Sequence, residues 1–201
     1  MPITIVRSTG PADDRALRGM FAARKQVFVD LLRWDLPVLD DAYEIDQFDD
    51  GHAIYLMVTD RGGQHLGSAR LLPTSRPYLL HALFPMLCEG ELPTADDCWE
   101  ITRFCLDRGL RADERLGIRN ALIHALAVHA LEAGIRTYVG VAELAWLQQI
   151  LAFGWRCRPL GFPQPVGGRT LGALEIDIDQ ETLELLAANG IGDAQPLAAA
   201  A

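Results

Sequence analysis

The stretch WEITRFCLD, residues 99–107, constrains the fold more than any other. Its apolar and β-branched residues read as a strand, yet Glu100 and Arg103 sit inside it, where ionised groups are costly unless paired or put to use. Positions three apart on an unbroken strand point to opposite faces. A Glu100–Arg103 pair therefore requires a bulge, which also frees a backbone N–H. Two uses stay open at this point: a buried ion pair that holds the sheet, or part of a reactive site.

Around this strand the sequence alternates strands and helices. A strand is expected at 2–7, then a helix over 11–31 with Pro11 in its first turn and Asp13 and Asp14 near its N-terminus. Residues 53–60 and 65–72 form a hairpin joined by RGGQ. A short helix follows at 78–88, then the strand at 98–107, an Arg-rich turn RGLRADERLG, and a helix over 117–133 ending at Gly134. The strand RTYVGVA, a helix over 144–152, a short strand after Gly154, the strand RTLGALEIDI and a helix over 180–188 complete the order. The pattern predicts an α/β fold, three-layer α-β-α, with a strongly twisted mixed sheet. The 201 residues suit a single domain over 1–191, with the Ala-rich end, 192–201, expected to be disordered.

Between the first helix and the hairpin lies LRWDLPVLDDAYEIDQFDDG, 32–51, with little periodicity, six aspartates, one glutamate and three aromatics. Connections this long in a compact domain are usually functional or mobile, so it reads as a lid whose carboxylates repel one another until a cation arrives.

Several classes of function are set aside. A net charge of −9 argues against sequence-independent nucleic-acid binding, which depends on neutralising phosphates. No apolar run reaches the ~20 residues of a membrane span; ALIHALAVHALEAG is interrupted by His124, His129 and Glu132. The four cysteines form no CxxC pair and the start carries no export signal, which points to the cytoplasm. His124 and His129 lie about 140° apart around a helix, so no metal site is expected.

Charged residues elsewhere bear on Glu100 and Arg103. Arg70 sits in the hairpin, Asp46 and Asp49 in the lid, and Arg24 on the first helix near Phe28 and Trp34. Carboxylates, arginines and aromatics together suit a zwitterionic cationic metabolite: acids for an amine or sulfonium, arginine for a carboxylate, ring faces for adenine and the cation. The Arg-rich turn, with Arg111, Arg115 and Arg119, is either a phosphate holder at a helix N-terminus or a solvated cap.

The order of elements from the opening strand through ILAFGW is similar to the GCN5-related N-acetyltransferase fold, in which splayed central strands make an acyl slot. That family's turn usually reads Q/R-x-x-G-x-G/A, and here Gly117 places Glu114 and Arg119 at the flanking positions. More specifically, the chain resembles the acyl-homoserine lactone synthases, the autoinducer-making enzymes of bacterial quorum sensing. The resemblance rests on MFAARKQVF (Arg24, Phe28), RW (Trp34), EIDQFDD (Asp46, Asp49), GSARLLPT (Arg70), LF (Phe84) and WEITRF (Glu100, Arg103), nine positions in order over residues 20–104.

The resemblance implies a transferase that joins an acyl thioester, on acyl carrier protein or CoA, to the amine of S-adenosylmethionine, followed by lactonisation and release of methylthioadenosine. S-adenosylmethionine is then a substrate and no cofactor is implied. Glu100 would be the general base, directly or through water, with Arg103, Asp46 and Asp49 orienting the amino-acid end and sulfonium. Arg70 would position the carboxylates, and Arg24, Phe28 and Trp34 would close over the nucleotide. Phe84, Thr102, Gly140 and Trp146 would line the acyl pocket. Family members that make 3-oxo signals commonly carry a Thr where Gly140 stands, so the expected chain lacks a 3-oxo group, unless Gly140 is only a close-packing glycine and another donor serves. An acidic carrier protein would need a basic patch, for which Arg111, Arg115, Arg119, Arg136, Arg156 and Arg158 are candidates, or else are scattered surface charges. The rival readings are an ordinary N-acetyltransferase acting on another amine and a non-catalytic acyl- or nucleotide-sensing module.

Overall fold

The computed structural model of the chain describes residues 3–7 and 14–192. Pro11 and Asp13 of the expected helix start, and residues 193–201 of the expected tail, lie outside the described residues. In chain order the elements are β1 (Ile3–Arg7), α1 (Asp14–Arg24), a π-helical turn (Lys25–Leu31), β2 (Val38–Leu39), β3 (Tyr43–Glu44), β4 (Ile54–Thr59), β5 (His65–Pro73) and α2 (Leu79–Leu83). A 3₁₀ turn (Pro85–Leu87), β6 (Cys98–Leu106), α3 (Ala112–Ala133), β7 (Thr137–Glu143), α4 (Leu144–Leu151), β8 (Arg156–Pro159), β9 (Gln164–Val166), β10 (Arg169–Asp177) and α5 (Thr182–Ala188) follow. This is a mixed α/β fold with a mixed multi-stranded sheet. The chain forms two compact units, one from the described residues up to Arg70 with Arg103–Ala125, the other from Leu71–Thr102 with Leu126–Gly192.

In the first unit β1 runs antiparallel to β4, from Ile3 opposite Val58 to Arg7 opposite Ile54, and β4 neighbours β5. Every residue of β4 is buried, which accounts for its unbroken apolar run without alternation. The β4–β5 turn is the expected hairpin: Asp60 accepts hydrogen bonds from the Gly62 and Gln64 N–H groups at 2.8 Å, and Gly63 takes φ +80°. Gly67 of β5 is needed for close approach, since a Cβ there would lie 2.7 Å from Ile118 Cγ2 on α3. The expected single helix over 11–31 instead changes winding after Arg24. In the π-helical turn Leu32 N–H reaches back to the Val27 carbonyl, which resets the phase and buries Phe28.

The segment 32–51, expected to show little regular structure, carries one short regular element. This is a small β2–β3 hairpin, Val38 opposite Glu44 and Leu39 opposite Tyr43, with Asp40 and Asp41 in left-handed backbone conformation at its tip. Aspartate tolerates that conformation through local hydrogen bonding, a signal that two-residue strands are too short to display by periodicity.

In the second unit β6 runs parallel to β7 over Cys98–Ile101 against Thr137–Gly140. The parallel pairing stops there, while β7 continues to Glu143 paired with β10 over seven positions. β10 also pairs antiparallel with β8, and its start forms an unanticipated hairpin with β9 around Gly167 and Gly168, both at positive φ. The expected helix over 78–88 breaks in two because Pro85 cannot donate to a continuing helix and Phe84 leaves the helical conformation at φ −132°, ψ 35°. Gly134, at φ +72°, ends α3 as expected.

α3 begins at Ala112, five residues before the expected start, so most of the Arg-rich turn is helix. The Glu114 carboxylate accepts the Arg111 N–H at 2.9 Å, one half of a capping box, and Gly117 is absorbed into the helix interior.

His65 is 3% exposed, and its Nε2 lies 2.9 Å from Ser68 Oγ while Nδ1 has no hydrogen-bond partner. Burial pushes its pKa down to about 4, against a smaller upward pull from Asp107. The native ring is therefore neutral where the unfolded ring, near 6.5, takes up a proton. Stability contributed by the neutral ring is full above pH 6.5 and lost as pH falls from 6.5 to 4, by about 3 kcal/mol in total. Urea unfolding across pH 7 to 4 should show a steeper acid loss for the wild type than for His65→Asn; parallel curves would contradict this.

Candidate active site

The first unit assembles three arginines and three carboxylates into one buried network. Arg24, the last residue of α1, donates Nε to Glu44 Oε2 at 2.5 Å and grips Asp49 with both terminal nitrogens at 2.8 Å. Arg70, on β5, grips Asp46 at 2.6 and 3.0 Å, and its Nη1 also lies 2.8 Å from Asp49 Oδ1. Arg103, on β6, reaches Glu44 through Nε and Nη2 at 3.0–3.2 Å and Asp46 Oδ2 at 2.7 Å. All six side chains are between 0% and 6% exposed, with Arg103 and Asp46 the outermost. Formal charge sums to zero, which makes such desolvation tolerable.

Each arginine also lies over an aromatic ring. Arg24 sits 5.0 Å from the Phe21 centroid, Arg70 5.8 Å from Phe48 and Arg103 5.7 Å from Phe28. Phe28 stacks on Trp34 with centroids 4.9 Å apart and planes 21° apart, and the Trp34 backbone N–H donates to the Phe28 carbonyl. This stack packs with Ala23, Cys105, Val27, Leu32 and Leu36. The π-helical turn therefore has a local purpose: it brings Phe28 under Arg103 and beside Trp34.

Asp46 and Asp49 also shape their own loop. Asp46 N–H donates to Asp49 Oδ2 and Phe48 N–H to Asp46 Oδ1, both at 2.8 Å. For Asp49, burial raises the pKa, but hydrogen bonds and charge from Arg24, then the Arg70 charge, outweigh it and hold the carboxyl well below its usual range. Burial likewise lowers Arg24, and Asp49 and Glu44 more than reverse this. The expectation that the loop's carboxylates repel one another until a ligand cation arrives is therefore corrected. The protein's own arginines supply the cations.

Arg103 adopts φ +51° inside β6, the irregularity expected of this strand. Its partners differ from the expected one, because the left-handed backbone turns the guanidinium to Glu44 and Asp46 rather than to Glu100. Glu100, in the second unit and fully buried, accepts the backbone N–H groups of Leu79 and Leu80 at 2.8 Å, one on each carboxylate oxygen. Of the expected acyl-pocket residues in that unit, Phe84 is half-buried at the end of α2 and Thr102 is buried on β6. Gly140 is buried on β7, where a Cβ would lie 3.2 Å from the Ile101 carbonyl oxygen, and half-buried Trp146 meets Phe153 edge-on at 5.7 Å.

Half of the expected basic patch is paired with carboxylates. Arg111 pairs with Glu114, Arg156 with Asp179 and Glu181, and Arg158 with Glu175, while Arg115 donates to the Asp107 and Arg108 carbonyls. Among the described residues no group of His, Cys, Asp and Glu is arranged to hold a metal ion, and no helix is long and apolar enough to cross a membrane.

Sequence reasoning passed over Glu44 and Tyr55. Glu44 is 0% exposed and bridges Arg24 and Arg103; its two-residue spacing from Asp46 was the available signal, since alternate positions of an extended chain share a side. Tyr55, whose hydroxyl donates to Asp49 Oδ1 at 2.9 Å, lies in an all-apolar strand that masks it.

Structural neighbours place the fold among the N-acyltransferases. A putative N-acetyltransferase from Lactobacillus plantarum is 18% identical with TM-score 0.61, covering 89% of this chain and 100% of that one. The sequence then narrows the class: a family model described as autoinducer synthase matches residues 12–186, and the chain belongs to that family. An acyl-homoserine-lactone synthase of Ralstonia nicotianae is 34% identical over 174 residues, 83% of this chain and 84% of the relative. Among solved structures, TofI in a ternary complex with an inhibitor and MTA is 32% identical with TM-score 0.78, covering 93% of this chain and 97% of that one. BjaI, a CoA-dependent acyl-homoserine lactone synthase solved with SAM and isopentyl-CoA, is 26% identical with TM-score 0.84, covering 97% and 94%.

The neutrality of the network makes a specific demand on Glu44. Glu44→Gln leaves two buried guanidiniums facing one fewer negative charge and should lower stability by about 3–5 kcal/mol. The Arg158–Glu175 pair, whose arginine is 62% exposed, provides the contrast, with a loss of about 0–1 kcal/mol for Arg158→Gln. Urea unfolding midpoints compare the two, and similar small losses would show that the network does not depend on charge balance.

Proposed function

We propose that the chain transfers an acyl group from a thioester to the amine of S-adenosylmethionine and closes the product to an N-acyl-homoserine lactone, releasing methylthioadenosine. The observation that carries this is the neutral, desolvated network of three arginines and three carboxylates, five of them at positions that match the family pattern. A zwitterion can exchange with ion pairs inside such a network and leave its charge unchanged. Arg103 and Asp46, its outermost members, are the groups assigned to meet the substrate carboxylate and ammonium or sulfonium. Phe28 and Trp34 offer ring faces for adenine and the cation.

In the first step the ammonium loses a proton and the neutral amine attacks the thioester carbonyl, expelling the thiol. The proton acceptor assigned is Glu100 through a water, a carboxylate held in place by one backbone N–H on each oxygen. In the second step the carboxylate oxygen attacks the carbon beside the sulfonium and methylthioadenosine leaves. One negative and one positive charge disappear together, so the step needs chiefly a folded near-attack geometry. Phe84, Thr102, Gly140 and Trp146 are assigned to the acyl chain.

For the donor, the pairing of Arg111, Arg156 and Arg158 with carboxylates removes half of the expected basic patch, and both carrier-protein and CoA thioesters stand as donors. Gly140 supplies no hydroxyl, and a Cβ there would press on the Ile101 carbonyl oxygen at 3.2 Å. The expected acyl chain is plain or 3-hydroxy, because a buried 3-oxo oxygen without a donor loses about 1–3 kcal/mol of hydration.

Incubation with S-adenosylmethionine and either acyl-CoA or acyl-carrier-protein thioesters should release methylthioadenosine in step with lactone. Glu100→Gln and Arg103→Ala should each abolish this while circular dichroism shows a folded protein. Turnover of acyl-CoA without methylthioadenosine would instead identify an N-acetyltransferase of another amine, and near-wild-type rates in either variant would remove the assigned role. Mass spectrometry of the lactones reads the third carbon, and a mainly 3-oxo product would overturn the Gly140 argument.

A further inference from the structure

Tyr55 is 0% exposed in β4, and its ring meets Phe21 edge-on, with centroids 6.0 Å apart and planes at 80°. A phenylalanine would fill this space equally well, so packing explains the ring and not the hydroxyl. Burying a hydroxyl costs free energy unless it is used. This one donates to Asp49 Oδ1 at 2.9 Å.

Asp49 is the most heavily engaged acid of the network. Its Oδ1 takes Arg24 Nη1 and Arg70 Nη1, each at 2.8 Å, in addition to the tyrosine. Its Oδ2 takes Arg24 Nη2 and the Asp46 N–H, also at 2.8 Å. Four hydrogen bonds, matching the about four lone-pair directions of a carboxylate, together with the Arg70 guanidinium fix its plane. Burial, and then the charge of Asp49, hold the phenol well above its ordinary pKa, so it remains a donor at any physiological pH. The same tyrosine acts on Arg24 by a second route, since Phe21, against which it packs, lies 5.0 Å beneath that guanidinium. Two of the network's three arginines thus take their orientation from groups that Tyr55 holds.

We propose that Tyr55 is a positioning residue for S-adenosylmethionine: its hydroxyl locks the Asp49 carboxylate, and through it Arg24 and Arg70, without touching the substrate. The proposal rests on the reaction assigned above. It predicts an effect confined to one substrate, because every residue in this chain of contacts belongs to the first unit.

The test is Tyr55→Phe, which removes one hydroxyl and no volume. With acyl thioester saturating, the KM for S-adenosylmethionine should rise about five- to tenfold, with kcat within about twofold and the thioester KM unchanged, the size expected for loss of one ordinary hydrogen bond. Calorimetric titration of S-adenosylmethionine into the protein should show the same weakening without turnover. Met57→Leu, at another fully buried position of β4, serves as the packing control and should leave S-adenosylmethionine binding alone. Equal affinities in wild type and Tyr55→Phe would overturn the proposal, as would a rise in both KM values together with a fall in melting temperature. Wild-type protein that binds S-adenosylmethionine without releasing methylthioadenosine would count against the assigned reaction, while a binding difference between wild type and Tyr55→Phe would still support the positioning role.

Discussion

Three guanidiniums and three carboxylates buried together form a structure in which each missing member leaves an unmatched ion. An ion pair in low dielectric is of uncertain net benefit, but an unmatched ion there is strongly unfavourable. The first unit is therefore organised around keeping Arg24, Arg70 and Arg103 matched with Glu44, Asp46 and Asp49. Much local irregularity follows from this requirement. The left-handed backbone of Arg103 aims its side chain at Glu44 and Asp46, and the Asp46–Asp49 turn presents both carboxylates on one side. The small β2–β3 hairpin delivers Glu44 at the end of a strand. Each of these features would be a defect in a chain that only had to bury apolar surface.

The aromatic residues have a related task. A guanidinium stacked over a ring keeps part of its surface against polarisable carbon while its edge makes hydrogen bonds, so an arginine can be fully desolvated without losing its donors. Phe21, Phe48 and Phe28 each do this for one arginine, and Trp34 backs the last of them. The winding change after Arg24 belongs to the same design. A continuous α-helix would carry Phe28 one helical step away, whereas the π-helical turn places it in the apolar cluster with Cys105.

How much of this could be read in the sequence varied with the range of the interactions involved. The order of long elements was legible because apolar runs and glycine stops act locally: β4, β5, β6, α3, β7 and β10 lie within a few residues of their expected bounds, apart from the earlier start of α3. The charged members of the site were legible as residue types, since ionised groups in apolar strands demand partners. Their pairing was not. Glu100 and Arg103 are three apart and invite each other, but the actual partners of Arg103 lie 57 and 59 residues away. The premise of repelling carboxylates failed for the same reason: counting six aspartates in 32–51 registers local repulsion and cannot register three arginines arriving from elsewhere. Two-residue strands and a single buried hydroxyl leave no periodic trace at all.

The neutrality of the network also bears on which ligand chemistry it suits. A simple amine, the usual substrate of an N-acetyltransferase, would bring one positive charge into a region already holding equal numbers of cations and anions. It would either displace an arginine into a desolvated space or leave the cluster with excess positive charge. A ligand carrying an ammonium and a carboxylate replaces an internal pair with two external ones and leaves the sum at zero. A sulfonium in addition makes the ligand monocationic overall, and that extra charge is diffuse enough to be met by the faces of Phe28 and Trp34 instead of by another carboxylate. On the reaction proposed here the balance persists through the chemistry: acylation removes the ammonium charge, and ring closure then extinguishes the carboxylate and the sulfonium in one step. The lactone that results carries no charge to hold it against the arginines, so the same balance that admits the substrate favours release of the product.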